Sequence, residues 1–233
     1  MLWGVLALLT GCTASYDLKD GGNLEVGLRA PIHESTNIGL RYAVSSSVKV
    51  LIGMEDGAGH GSGNYFKLGG HRFVITAYHN VDNATDIQIS EYNGHTVQAE
   101  VVYTQEYADV AILKLSGDLV ATTPAPYKVN TKENILGQTL YHSSNPGELD
   151  FILSNGFVSK STIDTIILQS NAWYGSSGAV VFDRYGKICG TVSGLVIGQG
   201  PLIPQVLENY VIVSRISFLS KERIKEILGG ETD

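Results

Sequence analysis

Two cysteines in 233 residues are too few for a disulfide framework. One of them, Cys189, lies in the apolar run Lys187-Ile188-Cys189-Gly190-Thr191-Val192 and fits a buried core thiol. Charge is sparse as well. Charged residues make up 17% of the chain against 43% hydrophobic, which excludes a disordered, self-repelling chain. The net charge is -7 and there is no long basic run or phosphate-binding loop, so no nucleic acid or nucleotide partner is expected. No apolar stretch reaches the ~18 to 20 residues that a membrane-crossing helix needs. His60, His71 and His79 are close in sequence, but no cysteine or acid stands near them at ligand spacing. The expectation is therefore no metal and no cofactor.

The chain is long enough for one large domain or two small ones. Its 27 glycines, with many Val, Ile and Thr, favour an all-β chain with many turns. Residues 45–52 end in a strand, and the glycine-rich residues 55–63 read as a loop. Residues 64–68 and 71–76 form a hairpin about Gly69-Gly70, followed by strands at 86–91, 95–103 and 110–115. Residues 116–134, with Pro124 and Pro126, connect two halves. The second half repeats the style at 139–142, 150–154, 156–159, 165–169, 179–182, 187–192 and 210–214. Two sets of about six short strands predict two six-stranded antiparallel β-barrels, at about 40–118 and 134–216. Ser220 can cap a C-terminal α-helix over about 220–229, stopped by Gly229-Gly230.

Gly175-Ser176-Ser177-Gly178-Ala179 puts a serine between glycines, ahead of the apolar run 179–182. Alone it reads as a turn between two strands. It becomes a nucleophile site only if the chain also supplies a base and an acid to orient that base. His79 just past one predicted strand, and Asp109 just before another, are the candidates. Each would be held by a scaffold while staying exposed.

The local contexts of these three residues resemble one family. Thr76-Ala77-Tyr78-His79 is similar to the T-A-x-H segment of trypsin-like serine proteases. Asp109-Val110-Ala111-Ile112-Leu113-Lys114 is similar to their D-[ILV]-A-[LVI]-[LI]-[KR] segment, and Gly175 to Ala179 to their G-x-S-G-[GA] turn. Gly61-Ser62-Gly63, and Asn145-Pro146-Gly147 with Gly156-Phe157-Val158-Ser159, resemble the bacterial, HtrA-like branch, here without a following PDZ-like domain. The resemblance implies a chymotrypsin-like double barrel acting on protein or peptide substrates. By carry-over, His79 is the general base, Asp109 orients it and Ser177 attacks. The backbone N–H groups of Gly175 and Ser177 form the oxyanion hole. Asn171 falls at the pocket floor, Ser193 on the strand that pairs with substrate, and Leu195 near the pocket wall, which implies a small or medium apolar residue before the scissile bond. Three positions depart from the family pattern: Tyr78 beside the histidine, Ser176 before the nucleophile and Ala179 after the turn. A catalytically inactive homologue serving as a surface binding lipoprotein is the alternative reading.

The first eleven residues are apolar and resemble a secretion-signal core. Leu9-Thr10-Gly11-Cys12 is similar to the lipobox of bacterial lipoproteins, which implies cleavage and lipidation at Cys12. Residues 12–39 then read as a tether and 40–233 as the protease domain. The expected location is outside the cytoplasm, on a bacterial membrane. No Lys or Arg precedes the apolar run, so an N-terminus that docks on the domain or a partner, in the cytoplasm, stays open. Oligomeric state is not legible.

Overall fold

The computed structural model describes residues 35–199 and 204–229. The predicted signal segment, Cys12 and most of the predicted tether lie outside the described residues. A helix, α1 (Ile38–Ser45), leads into β1 (Ser47–Met54), β2 (Gly57–Leu68) and β3 (His71–Thr76). After a 3-10 turn at Tyr78–Asn80 come β4 (Asp86–Ser90), β5 (Thr96–Gln105) and β6 (Val110–Leu115). The connection carries a two-residue strand, β7 (Ala125–Pro126). The second half holds β8 (Thr139–Ser144), β9 (Ile152–Ser161), β10 (Thr165–Gln169), β11 (Val180–Asp183), β12 (Ile188–Gln199) and β13 (Pro204–Ser214). Helix α2 (Lys221–Ile227) ends the order, with the Ser220 hydroxyl accepting from Arg223 N–H as expected of its cap.

Strands β1-β4-β5-β6-β3-β2 close on themselves through the β1–β2 pairing, and β7 adds parallel to β2 outside that ring. Strands β10-β13-β12-β11-β8-β9 form the second closed barrel. The fold is the double six-stranded barrel that the sequence predicts.

Several strands read as continuous apolar runs because both of their faces are buried. Along β6, Ala111 and Leu113 point into barrel 1, while Val110 and Ile112 point into a core between the barrels. Along β11, Val181 fills barrel 2, while Val180 and Phe182 join Phe66, Phe73 and Tyr127 in that same central core. Phe66 and Phe73 stack at 5.8 Å, and Tyr127 meets Phe66 edge-on at 5.9 Å. Ile224 of α2 is fully buried against the central core, so the helix clamps both halves. Cys189 is buried and unpaired, its thiol pushed up to about 12 by burial.

Three local expectations need correction. Residues 57–63 are not a loop but the first part of β2, paired with β1 from Met54↔Gly57 to Val48↔Gly63. Their glycines permit close packing: a Cβ on Gly63 would stand 2.9 Å from the Ile75 carbonyl oxygen. The predicted pair 150–154 and 156–159 is one strand, β9. The tether does not run to residue 39, because Asn37 caps α1 by accepting from Leu40 N–H at 3.0 Å.

Candidate active site

The three singled-out residues come from both barrels. Strand β3 ends at Thr76 opposite Ala111 of β6, so the turn after β3 and the residue before β6 meet at one barrel end. His79 lies in that turn and Asp109 precedes β6 in the left-handed conformation (φ 46°). The Asp109 carboxylate grips His79 twice. Oδ1 accepts from the backbone N–H of His79 at 3.0 Å, and Oδ2 lies 2.9 Å from ring Nδ1. The carboxylate holds the proton on Nδ1 and leaves Nε2 as the acceptor. Asp109 is not fully enclosed: its side chain keeps 20% exposure and that of His79 47%.

Ser177 belongs to barrel 2, yet barrel 1 fixes its backbone. The Ser177 carbonyl accepts from Ser62 N–H at 2.8 Å and from the Asn80 amide at 2.9 Å. Asn80 directly follows His79, so one side chain couples the histidine turn to the serine turn. Gly178 (φ 88°) donates to Val192 O at 2.7 Å, and a Cβ there would stand 2.2 Å from the Ser62 carbonyl oxygen. The turn therefore needs glycine for conformation and for space. Ala179 is fully buried with its methyl accommodated. Ser176 is buried too: its hydroxyl accepts from Trp173 N–H at 3.1 Å and from Ser144 Oγ at 3.2 Å.

Among the described residues, the N–H groups of Gly175 and Ser177 have no acceptor. Neither donor is spent on a partner among the described residues, so both stay available to a ligand. No hydrogen bond joins Ser177 Oγ to His79 among the described residues. Catalytic hydrogen bonds are often long without substrate.

The residues expected to meet substrate are more scattered. Ser193 sits at a bulge in the β12–β13 ladder, between Val192↔Val213 and Gly194↔Ile212. A bulged residue lacks a ladder partner. Leu195 is half-buried against the barrel 2 core. Asn171 is exposed, not enclosed as a pocket floor would be.

Sequence reading missed the residues that brace the turn. His60 Nε2 lies 3.0 Å from the Asn145 carbonyl, to which it donates. A Cβ on Gly175 (φ 91°) would fall 2.3 Å from that carbonyl oxygen and 2.6 Å from His60 Nε2. Ser62 Oγ donates to Gly175 O at 2.7 Å and accepts from Asn145 N–H at 2.9 Å. Gly61-Ser62-Gly63 and Asn145-Pro146-Gly147 stood out as motifs, but their mutual contact is a property of the fold. Elsewhere in barrel 2, His142 is fully buried and bonded through Nε2 to Ser170 Oγ at 3.1 Å, and among the described residues its Nδ1 has no partner. Burial holds its pKa down at about 4.

A double barrel with a clamped histidine and a glycine-flanked serine turn defines a chymotrypsin-like peptidase fold. The chain matches the trypsin-like peptidase domain over residues 61–190 and belongs to that family. It is 28% identical over 180 residues to Protease Do-like 1, chloroplastic, of Arabidopsis thaliana, covering 70% of this chain and 40% of that protein. It is 30% identical over 147 residues to the serine protease Do-like HtrA of Bacillus subtilis, covering 57% of this chain and 33% of that protein. The chain thus spans less than half the length of these relatives. The serine endoprotease from Yersinia pestis superposes with a TM-score of 0.65 at 21% identity, covering 83% of this chain and 67% of that one. An HtrA-type protease, AlgW, solved with a tripeptide, gives 0.66 at 16%, covering 83% and 64%. These two likenesses concern the fold. The sequence relatives are themselves named Do-like proteases.

Proposed function

We propose that the protein is a serine endopeptidase using His79, Asp109 and Ser177. The observation that carries this reading is the double grip of Asp109 on His79, which leaves Nε2 free to act as a base, while the Asn80 amide joins the histidine turn to the Ser177 turn. In the first step the Ser177 hydroxyl proton passes to His79 Nε2, and Oγ bonds to the substrate carbonyl carbon. The carbonyl oxygen becomes an oxyanion held by the N–H groups of Gly175 and Ser177. Collapse breaks the C–N bond, and His79 returns its proton to the leaving amine. Water repeats the sequence on the acyl-enzyme. The bulge at Ser193 leaves backbone for an extended peptide to add as a strand. With Leu195 at the wall, the residue before the cut is small or medium and apolar.

The test is a fluorophosphonate probe beside peptide-library cleavage. Wild type is labelled and cleaves, and Ser177→Ala does neither. A wild type left unlabelled across several pH values would replace this reading with that of an inactive binding homologue. The missing Ser177–His79 hydrogen bond is the observation favouring that second reading.

The reading extends to export and lipid anchoring through Cys12, supported by Leu9-Thr10-Gly11-Cys12 after an apolar segment. Incorporation of labelled palmitate, abolished in Cys12→Ser, is the expected result. An unlabelled, soluble wild type would remove the anchor without touching the catalytic reading.

A further inference from the structure

The chain carries a net charge of -7, yet one cleft on barrel 2 is lined by four cations. The cleft, about 1010 Å³, lies between the start of α1, the connection after β7 and the turn after β11. Lys128, Lys132, Arg184 and Lys187 face it, and none forms an ion pair among the described residues. The one acid lining it among those residues is Asp183, whose charge is already engaged. Its Oδ1 accepts from Tyr185 N–H at 2.8 Å and Lys187 N–H at 2.9 Å, and its Oδ2 from the Asn130 amide at 3.0 Å. Asp183 is also buried. Four cations around one concavity without a free counter-charge focus a positive potential there and concentrate anions.

A second observation concerns where the chain enters the body. Thr36, Asn37 and Ile38 also line the cleft. Gly39 N–H donates to Arg184 O at 3.3 Å, and a Cβ on Gly39 would stand 1.8 Å from Asp183 O. Helix α1 is therefore seated directly on the turn that presents Arg184. The residue at the rim, Thr36, is 24 positions after Cys12 (36 − 12). Such a stretch spans at most ~80 Å when fully extended. A lipid on Cys12 would keep the cleft within that reach of a bilayer.

We infer that this cleft binds the anionic headgroups of phospholipids and seats the protease body on the membrane. Headgroup phosphate oxygens accept from the three ammonium groups, and the Arg184 guanidinium offers a paired, planar set of donors. One lipid chain holds a protein only marginally, and a cationic patch beside it is the second signal that makes anchoring stable. The inference shares the membrane setting with the Cys12 reading, but the affinity of the cleft stands without the lipid.

The test uses the full chain with Cys12→Ser, so that no lipid contributes. Co-sedimentation is measured with vesicles of phosphatidylcholine alone and of phosphatidylcholine mixed with phosphatidylglycerol. Binding is expected only with phosphatidylglycerol, weakening with salt. Each of Lys128→Gln, Lys132→Gln, Arg184→Gln and Lys187→Gln should weaken it by about fivefold. Lys67→Gln with Lys114→Gln, on barrel 1, should leave it unchanged. Fluorophosphonate labelling or circular dichroism confirms that each variant is folded. Equal binding to both vesicles, or binding indifferent to the four substitutions, overturns the inference. So does capture of inorganic phosphate or RNA by a chain that ignores vesicles. Palmitate labelling of the wild type reports on Cys12 alone, so that anchor can fail while the vesicle result stands.

Discussion

Asp109 serves two donors of His79 with one carboxylate, the backbone N–H at 3.0 Å and the ring nitrogen at 2.9 Å. An asparagine there keeps one oxygen but turns an NH2 toward the other donor. The ring then favours the wrong tautomer. Asp109→Asn should lower kcat by about 10⁴-fold with little change in KM, read by steady-state cleavage of a library-derived peptide. His60 acts one step further back. Its ring holds the Asn145 carbonyl at 3.0 Å, against the face of Gly175, whose N–H is one of the two free donors. Nε2 carries a proton in both the neutral tautomer and the imidazolium, so this brace does not depend on charge. His60→Ala should cost about tenfold in kcat, with KM nearly unchanged and the pH profile unmoved. His60→Gln, which can still donate to Asn145, should recover most of that loss. A change confined to KM would show that His60 meets substrate and does not brace the turn.

Among the elements, the turn that carries Ser177 is closely confined by backbone. At Gly178 (φ 88°) a Cβ would meet the Ser62 carbonyl at 2.2 Å and Ala77 N at 2.7 Å, both backbone atoms that cannot swing away. Gly178→Ala should destabilise the fold by about 3 kcal/mol or more and abolish probe labelling. Gly194, with nothing within 4 Å of its added Cβ, should accept alanine within about 0.5 kcal/mol. Thermal unfolding of the two variants makes the comparison. Strands were readable where alternation or apolar runs marked them, as in β3, β6 and β11. Residues 57–63 were not, because glycine marks turns in sequence. Here it is used to admit Asn80 and the Ile75 carbonyl beside a strand. Helix α1 was missed because it is only eight residues long, and what holds it is the turn after Asp183, far along the chain. The three candidates, His79, Asp109 and Ser177, stood out through the short motifs around them. Their braces did not, since His60 and Asn145 are 85 positions apart and Asn80 and Ser177 are 97.

For the whole molecule, two buried titratable groups tie stability to pH in the same direction. His142 is fully buried in barrel 2, and burial lowers its pKa from 6.5 to about 4. The unfolded chain therefore binds a proton below about pH 6.5 that the folded chain refuses until about pH 4. Stability from this site is complete above pH 6.5 and is lost progressively as pH falls to about 4, a loss of about 3 kcal/mol. Glu91 adds to it. Burial pushes its carboxyl upward, but the N–H groups of Val120 and Ala121, with His95 and Thr122, outweigh this and hold it below the usual range. Its contribution is present above the ordinary carboxylate pKa and is lost as pH falls below it, releasing the segment 120–122 that it fastens. Urea unfolding between pH 7 and pH 4 should show the falling stability. His142→Leu should flatten the slope between pH 6.5 and about 4 whatever it does to stability at pH 7, because no group is left there to take the proton. Glu91→Gln should leave that slope and remove only the part that begins in the carboxylate range. A His142→Leu variant with the wild-type slope would mean that His142 takes its proton in the folded barrel, and that Ser170 and its surroundings give way to accommodate the charge.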